Sequence, residues 1–432
     1  MNNAELKKRD LAVLWHPCTQ MKDHETLPLI PIKKAYGIYL EDFDNNLYID
    51  AVSSWWVNIF GHTNSYINEK IKEQLDTLEH VILAGFTHEQ VIRLSERLVK
   101  LTPDGLEKCF YADNGSSGVE VALKMSFHAH KNNQKEKNIF VSLTNSYHGE
   151  TIGALSVGDV KLYKDTYKPL LIQSIQTPVP KDMSIVAARE AASEFEKLCE
   201  ERAEEISAII LEPLIQGAGY MHMYDKEFLI LVREICNRYD IHLIADEVMV
   251  GFGRSGEMFA CKSANITPDF LVLSKGLTGG YLPLSVVLTT DKIYASFYCD
   301  YGENRAFLHS HSYTGNALAC AAANATLDIF ENENIIEKNR ATAKYMQEEL
   351  LKFKTLKNVL SIRQTGMVCA VELKGYDSRK RIGLKVYEYG LKNGVLLRPL
   401  GHVVYFMPPY IITKDEIRKM MQVAYEAIEG LS

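Results

Sequence analysis

The 432-residue chain contains no C-x-x-C pair, and its eight cysteines (Cys18, Cys109, Cys199, Cys236, Cys261, Cys299, Cys320, Cys369) are scattered. That spacing argues against a disulfide framework or a zinc site, and fits reduced thiols in a cytoplasmic setting. No apolar run reaches membrane-spanning length, so no membrane partner is expected. The opening, MNNAELKKRDLAVLW, puts charges where a signal peptide would need an apolar core. No lysine- or arginine-rich block stands out and the formal net charge is −7, which argues against a nucleic-acid partner. There is no internal repeat and no low-complexity linker. The composition is that of an ordinary globular protein, and the length suggests about two to three domains.

What the chain does have is alternation. Between about Tyr66 and Ser312, helical stretches (66–79, 88–101, 117–131, 185–204, 225–239, 257–264) interleave with strand candidates (108–112, 138–143, 208–213, 242–246, 270–274, 284–289). This pattern predicts an α/β domain with a mainly parallel sheet and helices on both faces. Beyond Gly315 the chain turns helical (317–331, 335–352), then α+β, with strands near 366–374, 394–398 and 402–407 and a last helix from Thr413. The first sixty residues hold a short helix (Ala4 to Leu14) and a hairpin, DFDNNLYID, with Asn45-Asn46 at its turn. The expected division is a large domain over 60–320 and a smaller α+β domain from 1–59 with 321–432.

The chemistry centres on His242 to Leu282. One strand there ends on Asp246-Glu247; the next, FLVLS, ends on Lys275, followed by a glycine-rich turn. In a parallel sheet, both strand ends open into one crevice. A lysine and a carboxylate so placed suit pyridoxal 5′-phosphate (PLP), which needs a lysine for its Schiff base and an acid to keep its pyridine nitrogen protonated. Lys275 and Asp246 are the candidates. Gly251, Gly253 and Gly256 spell G-x-G-x-x-G, but the motif neither follows its strand directly nor opens a helix, so a dinucleotide site is not expected.

Other strand ends add to the set. Asp113-Asn114-Gly115-Ser116-Ser117-Gly118 opens a helix whose exposed N–H groups favour an anion, making Gly115 and Ser116 a phosphate cup, or else an ordinary capping loop. Tyr147 in SYHGE is placed to stack on a ring, with His148 read as structural. Glu212 ends AIILEP and is read as polar support. Arg398, after the strand VLL, can take a substrate carboxylate in a fork, or else is an ordinary surface arginine. Trp55 and Trp56 in an extended segment would face opposite ways, which makes one a core residue and the other a candidate wall for an apolar ligand, or else both pack inside.

Together DEVMVGFGR, SKG, NGSSGVEVALK and SYHGETIGALS resemble the class-III aminotransferases of PLP fold type I, over nearly the whole chain. The resemblance implies a seven-stranded-type sheet, mainly parallel, between helices, and a smaller α+β domain. It implies a homodimer with shared active sites. Lys275, Asp246 and Tyr147 are then the catalytic group, and Gly115, Ser116 and Glu212 surround the cofactor. His311 and Ser312 would reach the phosphate of the neighbouring subunit's cofactor. Trp55, Tyr147, Ser310, Arg398, Cys18 and Tyr405 would face substrate. Narrower signals (LWHPCTQM, SSWWVN, GLTGGYLPLS, FLHSHSYTGN, LLRPLG, VVYFMPPYII) are similar to members that aminate 8-amino-7-oxononanoate in biotin biosynthesis. S-adenosylmethionine is the favoured donor and lysine the alternative; ornithine, γ-aminobutyrate or glutamate semialdehyde enzymes are the nearest rivals. Cys18 stands where that group often has a tyrosine, so a phenol and a ring are missing there.

Overall fold

The computed structural model describes residues 1–375 and 380–431. The chain forms two compact units, Tyr66–Arg340 and Met1–Ser65 with Ala341–Ser432. The edges expected near 60 and 320 compare with 65/66 and 340/341 here. The helix Ala317–Glu333 stays with the larger unit because it is buried along most of its length. Its Asp328 accepts from Tyr66 and pairs with Arg93 and Arg97, and its Asn324 bonds Gln90.

Seven strands form the sheet of the larger unit. They are β1 (Leu106–Ala112), β2 (Ile139–Leu143), β3 (Ser174–Thr177), β4 (Ile206–Leu211), β5 (His242–Asp246), β6 (Phe270–Leu273) and β7 (Ser285–Thr290), in the order β1-β7-β6-β5-β4-β2-β3. The pairs β6–β5, β5–β4, β4–β2 and β2–β3 are parallel, and β7 runs antiparallel to β6 and β1. The expected mainly parallel sheet is therefore found, with one reversed strand. ISAIIL and FLVL are buried at every residue, as in a sheet covered on both faces. The edge strand β3, SIQT, is short and polar and escapes the sequence pattern. The helix α1 (Gly115–Asn132) buries Val119, Ala122, Leu123 and Ala129 in the core beneath β4, β5 and β6. The stretch expected to be helical over 257–264 forms only the turn Ala260–Ser263.

The smaller unit holds a four-stranded sheet (Ile32–Tyr36, Tyr39–Asp42, Leu47–Asp50, Val395–Leu396) and a three-stranded one (Val359–Thr365, Val368–Leu373, Val403–Phe406). The DFDNNLYID hairpin forms with Asn45 at φ 64°, and the Asp42 carboxylate accepts from Asp44 N, Asn46 N and Tyr48 OH around it. The last helix, Lys414–Glu429, opens with a reciprocal Thr413–Glu416 capping box.

The tryptophan segment is not extended. Ser53, Ser54, Trp55 and Trp56 have φ of 49°, 46°, 72° and 75°, a left-handed turn without a glycine. Each such residue costs about 1–2 kcal/mol against its right-handed alternative, so the surroundings must hold the turn. Trp56 is buried at 4 % exposure and Trp55 stands out at 46 %. The two indoles part as expected, through a turn and not through strand alternation. Among the described residues no helix is long and apolar enough to cross a membrane, and no cluster of His, Cys, Asp or Glu could hold a metal ion.

Candidate active site

The carboxyl ends of β1, β2, β4, β5 and β6 point the same way, and each delivers a residue of the candidate set. Asp246 is the last residue of β5, in register with Val272 of β6, and Lys275 follows two residues after β6 ends. Asp246 is buried. Its Oδ2 accepts from His148 Nδ1 at 2.7 Å, and its Oδ1 accepts from Val248 N at 3.1 Å. Burial draws the Lys275 amine below the usual lysine range, opposed by the charges of Asp246 and Glu212. Lys275 itself takes a left-handed φ of 45°, which turns the chain sharply off the strand.

Glu212 follows β4. Its Oε2 accepts from Tyr147 N at 2.9 Å and its Oε1 from Gly217 N at 2.8 Å. Burial pushes its carboxyl up to about 7, with His148 opposing and Asp246 adding to the shift. The other half of the acidic pair, Glu247, turns away from this set. It accepts from Ala260 N and Cys261 N, both at 2.7 Å, and closes the loop after β5.

Tyr147, four residues past β2, is half-buried; its hydroxyl donates to Glu150 at 3.2 Å and its ring meets Tyr163 edge-on. His148, expected to be structural, holds the carboxylate of Asp246. Its Nε2 is buried and has no partner among the described residues.

The candidate anion cup lies at the start of α1. Asn114 caps the helix by accepting from Ser117 N at 3.0 Å. A Cβ on Gly149 (φ 123°) would lie 2.3 Å from Ser116 Oγ, and one on Gly115 would lie 2.8 Å from Val248 Cγ1. Both positions therefore need glycine, which brings the backbone close to Ser116 and Val248. Ser116 Oγ accepts from Thr151 N at 3.1 Å and lies 2.8 Å from Thr151 Oγ1, so Thr151, which the sequence did not single out, adds a hydroxyl to the cup. His311 Nδ1 is 3.6 Å from Asp113 of the same cup and its Nε2 is 3.1 Å from His309. Ser310 and Ser312 are exposed.

In the smaller unit, Trp55, Arg398 and Cys18 line one cavity of about 370 Å³ with Tyr387, Leu384 and Leu396. The Arg398 guanidinium is 5.9 Å from the Tyr387 ring centre, and among the described residues no carboxylate pairs with it. A second arginine of this cavity, Arg381, is tied to Asp23 through a fork of 2.9 and 2.5 Å. Tyr405 does not line the cavity. It is 1 % exposed, and its hydroxyl accepts from Trp56 Nε1 at 3.0 Å, so it braces the buried indole instead of facing substrate.

The larger unit thus offers a desolvated lysine amine, a buried carboxylate backed by an imidazole, and a helix N-terminus with two hydroxyls and two obligatory glycines. This donor set fits PLP: an amine for its aldehyde carbon, an acid for its ring nitrogen, an N–H cradle for its phosphate.

Comparison with known proteins agrees with that chemistry. The class-III aminotransferase family matches residues 20–428. The adenosylmethionine-8-amino-7-oxononanoate aminotransferase of Helicobacter pylori is 54% identical over 434 residues, 98% of this chain and 97% of that protein. The crystal structure of the enzyme of that name from Methanocaldococcus jannaschii superposes with a TM-score of 0.96 at 39% identity, over 99% of both chains. The omega transaminase of Pseudomonas jessenii in complex with PMP gives a TM-score of 0.93 at 27% identity, over 98% of both chains. The chain belongs to the class-III aminotransferases, which use pyridoxal phosphate.

Proposed function

We propose that the chain transfers an amino group to the 7-oxo carbon of 8-amino-7-oxononanoate, giving 7,8-diaminononanoate for biotin synthesis, with S-adenosylmethionine as donor. The relatives' names supply the substrate. The observation that supports it here is the cavity in which an arginine without a carboxylate partner stands among Trp55, Leu384 and Leu396. A long acceptor with an aliphatic chain and a distal carboxylate matches those walls and that charge.

When bound, PLP supplies an electron sink at the reacting carbon. The chain's own residues do the rest. Lys275 attaches the cofactor and, once released, takes and returns a proton at Nζ; burial lowers that amine's hold on its proton, against the opposing charges of Asp246 and Glu212. Asp246, accepting a hydrogen bond from His148 Nδ1, presents its carboxylate to the ring nitrogen. Glu212 fixes the Tyr147 backbone, and so the ring that covers the cofactor. Gly115 and Ser116 bind the phosphate, and His311 and Ser312 serve the cofactor of the partner subunit. Trp55 faces either substrate, by cation–π contact with a sulfonium or by apolar contact with the acceptor chain. Ser310 and Cys18 border the substrate.

The working unit in this reading is a homodimer with shared sites. Its support is the segment 298–313, which carries Tyr298, Tyr301, Leu308 and Tyr313 at 63 to 98 % exposure, an apolar surface of the kind that marks an interface. Lysine is the alternative donor, on the strength of the HSHSYTGN loop. Acceptor profiling tests the reading: the amino-loaded enzyme should react with 8-amino-7-oxononanoate and far more slowly with the semialdehydes that ornithine and γ-aminobutyrate enzymes use. The reverse order would assign the chain to another class-III activity.

A further inference from the structure

The left-handed turn of Ser53–Trp56 needs something to hold it, and one buried carboxylate does so. Asp50, with no exposed surface, ends the strand Leu47–Asp50. Its Oδ1 accepts from Ser54 N at 3.0 Å and Val52 N at 3.3 Å; its Oδ2 accepts from Ser54 Oγ at 2.7 Å and His62 Nε2 at 3.0 Å. His62 is itself fixed. Asn58 Nδ2 donates to its Nδ1 at 3.1 Å, which leaves the ring proton on Nε2, and its backbone exchanges two hydrogen bonds with Gly37.

The two ends of the turn are held in the core independently. Ser53 Oγ donates to Met407 O at 2.8 Å, and Trp56 Nε1 donates to Tyr405 OH at 3.0 Å. With residues 53 and 56 fixed, the hand of the turn decides on which side residues 54 and 55 project. A right-handed turn would carry both to the opposite side, and nothing in the amino-acid types favours the left hand, since no glycine is present. Asp50 selects it by gripping Ser54 through both backbone and hydroxyl. Trp55 is thereby delivered to the cavity that holds Arg398 and Cys18. A backbone strained at consecutive residues and over-determined by its surroundings is a sign of a functional constraint.

We propose that Asp50 is a positioning residue: its carboxylate, through Ser54, sets the left-handed turn that places the Trp55 indole on the cavity wall. Its effect on substrate recognition rests on the reading of that cavity as the acceptor site. The tests use the PLP-loaded enzyme in a Trp15→Phe background, where Trp55 is the exposed indole and Trp56 is buried. Asp50→Ala should change acrylamide quenching of Trp55 emission and raise KM for 8-amino-7-oxononanoate about tenfold, with kcat within about threefold. Asp50→Asn, which keeps an acceptor for the backbone but not for the hydroxyl and the imidazole, should fall between. Ser54→Ala, which removes a single hydroxyl, gives the same direction at about threefold, and serves if Asp50→Ala does not fold. In a Trp55→Ala background, Asp50→Ala should add less than about twofold.

Unchanged quenching in both the Asp50 and Ser54 variants would overturn the proposal, as would a full Asp50→Ala effect when Trp55 is already absent. A lowered melting temperature alone, with KM unmoved while Trp55→Ala raises it, would also overturn it. If quenching shifts but neither Asp50→Ala nor Trp55→Ala alters KM, the positioning role stands and the reading of the cavity fails.

Discussion

His148 Nδ1 lies 2.7 Å from Asp246 Oδ2, and both side chains are buried. The carboxylate can only accept, so the imidazole carries its proton on Nδ1. Asp246 is therefore held in one orientation, with one oxygen on His148 and the other accepting from Val248 N. Asp246→Asn should keep the fold and some cofactor and lower turnover by about 10²-fold or more, because a neutral amide cannot hold the charged ring nitrogen. His148→Phe should give a smaller loss and a shifted absorption band of the bound cofactor. Near-normal turnover of Asp246→Asn with full cofactor occupancy would remove Asp246 from this role.

Lys275→Ala should abolish covalent cofactor attachment and turnover together, since among the described residues no second lysine follows a strand of this crevice in the same way. Borohydride reduction followed by peptide mapping checks it. The label should fall on Lys275 in the parent and on no lysine in the variant; a label retained elsewhere would relocate the site.

Much of this was legible in the sequence, and the reason is physical. Strands buried on both faces read as continuous apolar runs, so FLVL and IHLIA announce themselves, and the charged residue that stops each run marks the end that opens on the crevice. The missed features come from contacts distant in sequence or from backbone choices that residue types do not encode. His148 and Asp246 are 98 positions apart, and the pairing exists only because β2 and β5 flank β4. Tyr405 sits in an apolar strand that could have faced a ligand; its engagement with Trp56, 349 positions away, makes it core. β3 is only four residues long, SIQT, with a single isoleucine and no apolar run to find. The left-handed turn before Trp56 carries no glycine to signal it.

The buried acid Glu212 gives a pH prediction with a definite sign. Its carboxyl is raised from 4.5 to about 7 in the folded state. The folded protein binds that proton more tightly than the unfolded chain, so the associated stability is complete below about 4.5 and is lost as pH rises through about 7. The melting temperature of the cofactor-free protein should fall across this window, and Glu212→Gln should flatten the slope. Glu247, raised to about 7 by burial in the same way, accounts for a second share that Glu247→Gln removes. A slope unchanged in both variants would show that neither acid is held protonated.

Arg398 should distinguish the two half-reactions. If it takes the distal carboxylate of the acceptor, Arg398→Ala costs a few kcal/mol, roughly the scale of a charge-assisted pair left unmatched. Arg398→Lys should also be impaired, because an ammonium cannot reproduce the fork. The loss should be larger for the acceptor than for the donor. Stopped-flow measurement of each half-reaction decides, and an unaltered acceptor step would place the carboxylate site elsewhere.

The most direct test of the account is to incubate the purified, PLP-loaded enzyme with 8-amino-7-oxononanoate and, in separate reactions, S-adenosylmethionine or lysine, and to follow 7,8-diaminononanoate by mass spectrometry. The account predicts product with S-adenosylmethionine, and less or none with lysine. Product with lysine alone would keep the reaction and reverse the donor; no diaminononanoate with either donor, from enzyme that still aminates another keto compound, would contradict the proposed function.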